Sequence, residues 1–213
     1  MFTATVITIF SLIVLLFSVI IHELAHGSVA YSLGDPTAKY AGRLTLNPLK
    51  HLDLFGSVIL PLLLLFATGG QGPIFGWAKP VPINPYNFKD QKWGTLKVAI
   101  SGPATNFGIA IFFGLLIRIV NLPQTLPFIE LLGIITLYNF LWGIFNLIPI
   151  PPLDGSWILF RFLPQRFDKV KIFLQQYGLF ILIFFLFFNG LTGLGALAQY
   201  FYQLVTGAPF AFL

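Results

Sequence analysis

The chain has 213 residues, of which 57% are hydrophobic, 17% aromatic and only 9% charged. Soluble domains carry about 25% charged residues, so this composition excludes a water-soluble globule and defines a polytopic membrane protein. The net charge of +5 bears on orientation and not on nucleic acid, and the lack of cysteine excludes disulfides, thiolate metal sites and cysteine nucleophiles.

Residues 1–21 are apolar but lack the basic start and small-residue cleavage pattern of a signal peptide. The helical pattern continues through His22 and Glu23 to residue 33, so a retained long first helix is expected, stopped by Gly34-Asp35-Pro36. Residues 39–46 alternate loosely, with Tyr40, Leu44 and Leu46 on one side and Arg43 and Thr45 on the other. That pattern predicts a short β-hairpin or edge strand. Residues 54–68 are apolar but marginal in length for a span, with Pro61 in their middle. The stretch 69–88 is rich in Gly and Pro, and Pro80, Pro82 and Pro85 force an extended path. A second long helix is expected over 93–120 and a third over 130–147, joined by a proline-containing turn. Residues 148–152 are too proline-rich to be helical, and Asp154-Gly155-Ser156 opens a short new helix. A basic loop at 161–171 precedes a hydrophobic block, 172–205, which Asn189, Gly190, Gly193 and Gly195 divide into two helices.

The expected architecture is an all-α polytopic bundle of about five or six hydrophobic segments. A small β-hairpin and a re-entrant segment complete it, with a core over 1–160 and C-terminal hydrophobic helices over 161–213. The first basic residue is Lys39, so the positive-inside rule places the N-terminus outside and the following loop inside. The loops at 79–97 and 161–171 are also basic, whereas the turn at 121–128 has no basic residue and belongs outside. An even number of crossings must then separate 39–50 from 79–97. A dip by 54–68 and return through the Gly-rich segment satisfies this, since non-helical backbone is tolerated at membrane depth when it is buried in protein.

His22-Glu23-Leu24-Ala25-His26 carries the chemistry. On a helix the two histidines stack one turn apart and can share a metal, and Glu23 is placed to take a proton from an activated water. The chain has only three histidines, and two of them lie in this pentapeptide. The plain alternative is a pair of histidines hydrogen-bonding across a bundle, but ionisable residues within membrane helices are costly and are functional candidates by default. Catalytic zinc takes three protein ligands and keeps one position open. The candidates for the third are Asp35, His51, Asp53, Asp90, Glu130, Asp154 and Asp168. Topology favours Asp154, which the third helix brings to the depth of His26 and which stands among apolar residues; a helix N-cap is its alternative role. His51 and Asp53 follow a basic loop and look interfacial.

These residues resemble the site-2 proteases, intramembrane zinc metalloproteases that cut transmembrane substrates. The resemblance rests on His22-Glu23-Leu24-Ala25-His26-Gly27, on Ser101-Gly102-Pro103-Ala104-Thr105-Asn106 and on Asn146-Leu147-Ile148-Pro149-Ile150-Pro151-Pro152-Leu153-Asp154-Gly155. The stretch Gly76-Trp77-Ala78-Lys79-Pro80-Val81-Pro82-Ile83-Asn84-Pro85 is similar to a segment of the compact prokaryotic members. The resemblance implies one zinc on His22, His26 and Asp154, with Glu23 as the base. It also implies a multi-pass protein of the cell membrane whose active site lies near the cytoplasmic face. No stretch is long and polar enough for the PDZ or cystathionine-synthase-type domains that many relatives carry.

Asn106 is the candidate donor to the oxyanion, its alternative role being an interhelical hydrogen bond. The substrate, a transmembrane helix, must unwind to expose its carbonyls, and residues 39–46 and 76–87 are candidates to pair with it by β-addition. Polar and Gly-rich residues at 69–76 are candidates to line a water path. The competing function is a membrane metal-ion transporter using the same His/Glu helix, but such a carrier needs polar residues across the whole bilayer, and the outer halves of these helices are almost purely apolar. A di-iron oxygenase is disfavoured because three histidines and two glutamates cannot furnish two irons, a serine protease because Ser101 has no histidine on a following helix, and a non-enzymatic scaffold because it leaves the His22, Glu23, His26 and Asp154 set unexplained.

Overall fold

The computed structural model describes residues 4–59, 62, 63, 66, 78–120 and 126–210. Helix α1 spans Ala4–Ser32 and is followed by a single helical turn, α2, at Thr37–Tyr40. Helices α3 (Gly94–Val120) and α4 (Pro127–Asn146) form the centre. The short α5 covers Asp154–Phe162, α6 covers Asp168–Phe185 and α7 covers Leu191–Thr206. Among the described residues four helical stretches are long and apolar enough to cross a bilayer: Thr5–Ser32, Gly94–Val120, Pro127–Asn146 and Gln165–Phe188.

The bundle has the inverted polarity of a membrane protein. On α1 the buried positions Ser11, Val14, Ser18, His22, His26 and Ala30 recur every three or four residues and form one stripe. Ile9, Leu12, Ile13 and Phe17 cover the outer face. The stripe packs on α3 and α4. Helix α3 meets it at Gly102, under His22 and His26, while Ala110 and Gly114 on α3 face α4 and α7; these small residues let the helices approach closely. Helix α4 is the most enclosed span and carries the buried polar residues Glu130, Thr136, Asn139 and Asn146. Helix α7 closes the bundle, with Leu194, Ala198 and Tyr202 packed on Ala110, Leu137 and Phe140.

Contacts fix the directions. Ile7 and Ser11 of α1 share a cavity with Glu130 and Ile134 of α4 at one end. At the other end His26 of α1 meets Val98 near the start of α3 and Asp154 after the end of α4. Helices α1 and α4 therefore run the same way and α3 runs against them. Every Lys and Arg except Arg118 lies at the His26 end, in or beside the segments that join the helices there.

One expectation is corrected and another refined. Residues 39–46 form no β-hairpin, and no strand occurs among the described residues. Pro36 leads into the α2 turn, and Gly42, at φ 64°, reverses the chain behind it. The loose alternation misled because Arg43, assigned to the polar side, is buried, whereas Tyr40 is exposed. β-Addition by that strand loses its basis. The C-terminal block holds two helices, as expected, but what divides them is not a break. Helical dihedrals persist through Phe185, Leu186, Gly190 and Leu191, so α6 and α7 are joined by one wide helical turn at Leu186–Gly190. Residues 54–59 form a similar wide turn, while most of the expected re-entrant segment, the water-path candidates at 69–76 and the turn at 121–125 lie outside the described residues.

The join between α1 and the segment 84–89 depends on one carboxylate. Asp35 is fully buried. Its Oδ1 accepts from Thr37 N at 3.1 Å, from the Thr37 hydroxyl and from Asn87 Nδ2 at 2.8 Å, and its Oδ2 accepts from Asn84 N at 2.7 Å. Lys89 N donates to Leu33 O at 2.8 Å beside it. Burial alone raises the pKa of Asp35, but the bonds from Thr37, Asn84 and Asn87 outweigh it and hold the carboxyl below its ordinary value of 3.8. The folded-state pKa is depressed, so the stabilisation is complete above the ordinary value and is lost as pH falls through the lower, folded value. Asp35→Asn should cost about 1–3 kcal/mol at neutral pH and flatten the acid limb of the melting profile in detergent.

Candidate metal centre

His22 and His26 lie one turn apart on the buried stripe of α1, and Asp154 begins α5. The Nε2 atoms of the two histidines are 3.0 Å apart. Asp154 Oδ2 is 3.0 Å from His22 Nε2 and 3.2 Å from His26 Nε2. Asp154 is thus brought to both histidines, as expected. The N-cap of α5 is Leu153, so Asp154 does not serve as the cap.

The protons on the imidazoles can be assigned from their partners. His26 Nδ1 lies 2.7 Å from Val98 O. A carbonyl only accepts, so Nδ1 donates and Nε2 presents a lone pair. Asn106 Nδ2 donates to Ser18 O at 3.2 Å and Asn139 Oδ1 at 2.9 Å, which turns Asn106 Oδ1 towards His22 Nδ1 at 2.7 Å. His22 Nδ1 therefore donates as well. In the neutral rings two lone pairs then converge with a carboxylate oxygen, an arrangement that a cation resolves. Their 3.0–3.2 Å separations approach the spacing of about 3.3 Å between ligands of a tetrahedral ion with bonds of about 2.0–2.1 Å. The donor set of two imidazoles and one carboxylate suits zinc, and the outward Nδ1–H bonds are the kind of support that orients metal-binding histidines.

Glu23 points to the side of this centre. Its Oε2 accepts from Val81 N at 2.8 Å, so the proline-punctuated segment 78–84 runs beside it. Asn106 sits behind His22, with both its amide N and O engaged as above.

The remaining candidate ligands are placed elsewhere. His51 Nε2 donates to Thr45 O at 2.8 Å. Asp53 caps the 54–59 turn through Gly56 N at 2.7 Å. Asp90 caps the start of α3 through Trp93 N at 2.9 Å, and the Lys97 ammonium bonded to it holds its carboxyl below the usual range. Asp168 pairs with Lys171 on the surface. Glu130 is buried at the far end of the bundle.

Sequence reasoning did not find several parts of the site. Val98 contributes a carbonyl and Val81 an N–H, and backbone groups have no residue-type signature. Asn139 was findable as an amide within an apolar span. Trp142 stands 6.5 Å from the His22 ring, between centroids. Gly102 lies directly over the centre: a Cβ there would meet His26 Nε2 and would lie 2.6 Å from His22 Nε2. Gly155 permits a comparable approach, since a Cβ would run into the Leu147 carbonyl.

Together these features describe a helical protein with four helices long and apolar enough to cross a membrane and a cluster of His22, His26 and Asp154 that can hold a metal ion. The profile Peptidase family M50 matches residues 114–188, which include Asp154. YwhC of Bacillus subtilis is 36% identical over 178 residues, covering 80% of this chain and 77% of YwhC. Rip2 of Mycolicibacterium smegmatis is 29% identical over 194 residues, covering 89% of this chain and 69% of Rip2. Both relatives are named as zinc metalloproteases. No solved structure gives a significant match. The chain belongs to peptidase family M50, and the transporter alternative finds no support in these relatives.

Gly102→Ala should lower bound divalent metal at least about tenfold under limiting metal, because the new methyl displaces the histidines that bind it. Metal content per purified chain checks this, and Gly108→Ala, where a Cβ meets nothing within 4 Å, should leave it unchanged.

Proposed function

We propose that this chain is an intramembrane zinc metalloprotease of the site-2 type, with His22, His26 and Asp154 as the metal ligands and Glu23 as the general base. The observation that carries the reading is the convergence, within 3.2 Å, of two imidazole Nε2 atoms from the helix that bears Glu23 and a carboxylate oxygen of Asp154. The zinc-protease names of the relatives support zinc over other ions. When bound, zinc supplies Lewis acidity, which acidifies a water and polarises a carbonyl.

The protein's own groups do the rest. Val81 N–H holds Glu23 Oε2, leaving Oε1 to take the proton of the attacking water and return it to the leaving amine. Asn106 and Val98 O keep each histidine turned with Nε2 inward. Asn106 thus acts through His22, a role different from the oxyanion donor expected of it, since its NH2 group is spent on Ser18 and Asn139. The substrate is a transmembrane segment that must unwind locally, because an intact helix ties its carbonyls in i→i−4 bonds. The clustering of basic residues at the metal end supports an active site towards the cytoplasmic face.

The test is cleavage of a labelled single-span substrate by purified protein. Glu23→Gln should lower kcat by at least about a thousandfold while zinc content stays at wild-type level. Asp154→Ala should lose both zinc and activity. Cleavage that persists in Glu23→Gln, or that survives complete chelation, would refute the reading.

A further inference from the structure

Arg43 is buried, at 6% exposure, in the turn after α2. Gly42 at φ 64° makes that turn, and Arg43 N returns to Ala38 O at 3.0 Å. The guanidinium joins none of the ion pairs among the described residues. Its Nη2 instead donates to two successive carbonyls, Lys79 O at 3.4 Å and Pro80 O at 3.3 Å. A buried guanidinium without a carboxylate partner is costly, and these two carbonyls belong to the segment that holds Glu23.

That segment cannot hold itself in place. Pro80 and Pro82 have no N–H, so it cannot complete a ladder with a neighbouring strand. Lys79 N donates to His51 O at 2.9 Å and Val81 N donates to Glu23. The carbonyls of Lys79 and Pro80 both accept from Arg43, and an arginine is suited to the task because it is always charged and presents five donors in a planar fork. The two segments also press on the same turn of α1: a Cβ at Gly27 would lie 2.7 Å from Leu44 Cδ2 and 3.0 Å from Val81 Cγ1.

We propose that Arg43 is a positioning residue for proteolysis: by fastening the Lys79 and Pro80 carbonyls it sets the Val81 N–H on Glu23 and so fixes the direction of the base. The proposal rests on the reading of Glu23 as the base. A merely structural Arg43 would change how much protein folds or loads zinc, and nothing else. A positioning Arg43 changes the turnover of each folded, zinc-loaded molecule.

The experiment uses the full chain, purified with zinc, and reads hydrogen exchange at the Val81 amide together with kcat and KM on a single-span substrate. Both kinetic constants are expressed per zinc-loaded molecule. Arg43→Gln should speed exchange at Val81 by about tenfold and lower kcat by about 30-fold with KM changed less than about threefold. Arg43→Lys, which keeps the charge and one donor group, should recover at least about threefold of the lost kcat, and it gives the same readings if Arg43→Gln does not fold. Unchanged exchange at Val81, unchanged kcat despite faster exchange, or a rise in KM alone would each overturn the proposal. Glu23→Gln in the same assay separates the two ideas: cleavage by that variant refutes the base itself, whatever Arg43 does.

Discussion

Two imidazole nitrogens and a carboxylate oxygen are held within 3.2 Å of one another, a spacing that a cation or a proton among them must offset, and much of the bundle is arranged to keep them there. The histidines stay turned because their Nδ1 protons are drawn outward, one to a backbone carbonyl and one to an amide anchored by two further bonds. That outer shell exists only because α3 can lie against α1, and α3 can do so because Gly102 has no side chain to strike the rings. Asp154 arrives from α5, whose start is pressed against the end of α4 at Gly155. A metal site built this way is a constraint on helix spacing as much as on ligand identity.

The same dependence runs one layer further out. Glu23 takes its direction from a backbone N–H at Val81, and the segment carrying it is tied at both ends. Arg43 and His51 hold it at Lys79 and Pro80, and Asp35 holds its far end at Asn84 and Asn87. Asp35 and Arg43 are both buried charges outside the metal centre. Each is satisfied mainly by uncharged groups of the same segment, which connects the turn after α1 to the residues facing the base.

What the sequence made legible divides along a physical line. The spans, the His22–Glu23–His26 face and the partnership with Asp154 were readable because each is a matter of residue type and helical spacing. Periodicity failed at 39–46, where a loose alternation stood for a helical turn followed by a Gly42 reversal. At 186–190 Gly and Asn marked the division into two helices correctly, though the backbone there stays helical through a wider turn. Asn106 was recognised as a site residue, but its role was not, because the identity of an amide does not say which of its ends faces the metal ligand. Val98 O and Val81 N–H were invisible, since every residue has a carbonyl and nearly every one an N–H.

The prominence of backbone groups around this site follows from its position. Within the spans, helical bonds consume the main-chain donors, so a donor such as the Asn106 amide must come from a side chain, while helical carbonyls such as Ser18 O and Val98 O accept a second bond. At the end of the bundle, helices start and stop and the chain passes through proline-rich extended stretches. There carbonyls and N–H groups fall free of helical pairing and can be spent on function. His22 sits deeper, is supported by side chains and is bonded to the middle of α3. His26 sits one turn nearer the end, near the start of α3, and is bonded to a backbone carbonyl. Glu23 faces the irregular segment and is bonded to a backbone N–H. Glu23, set at this boundary, has a polar partner in the irregular segment, while His22 and His26 on the same helix remain enclosed.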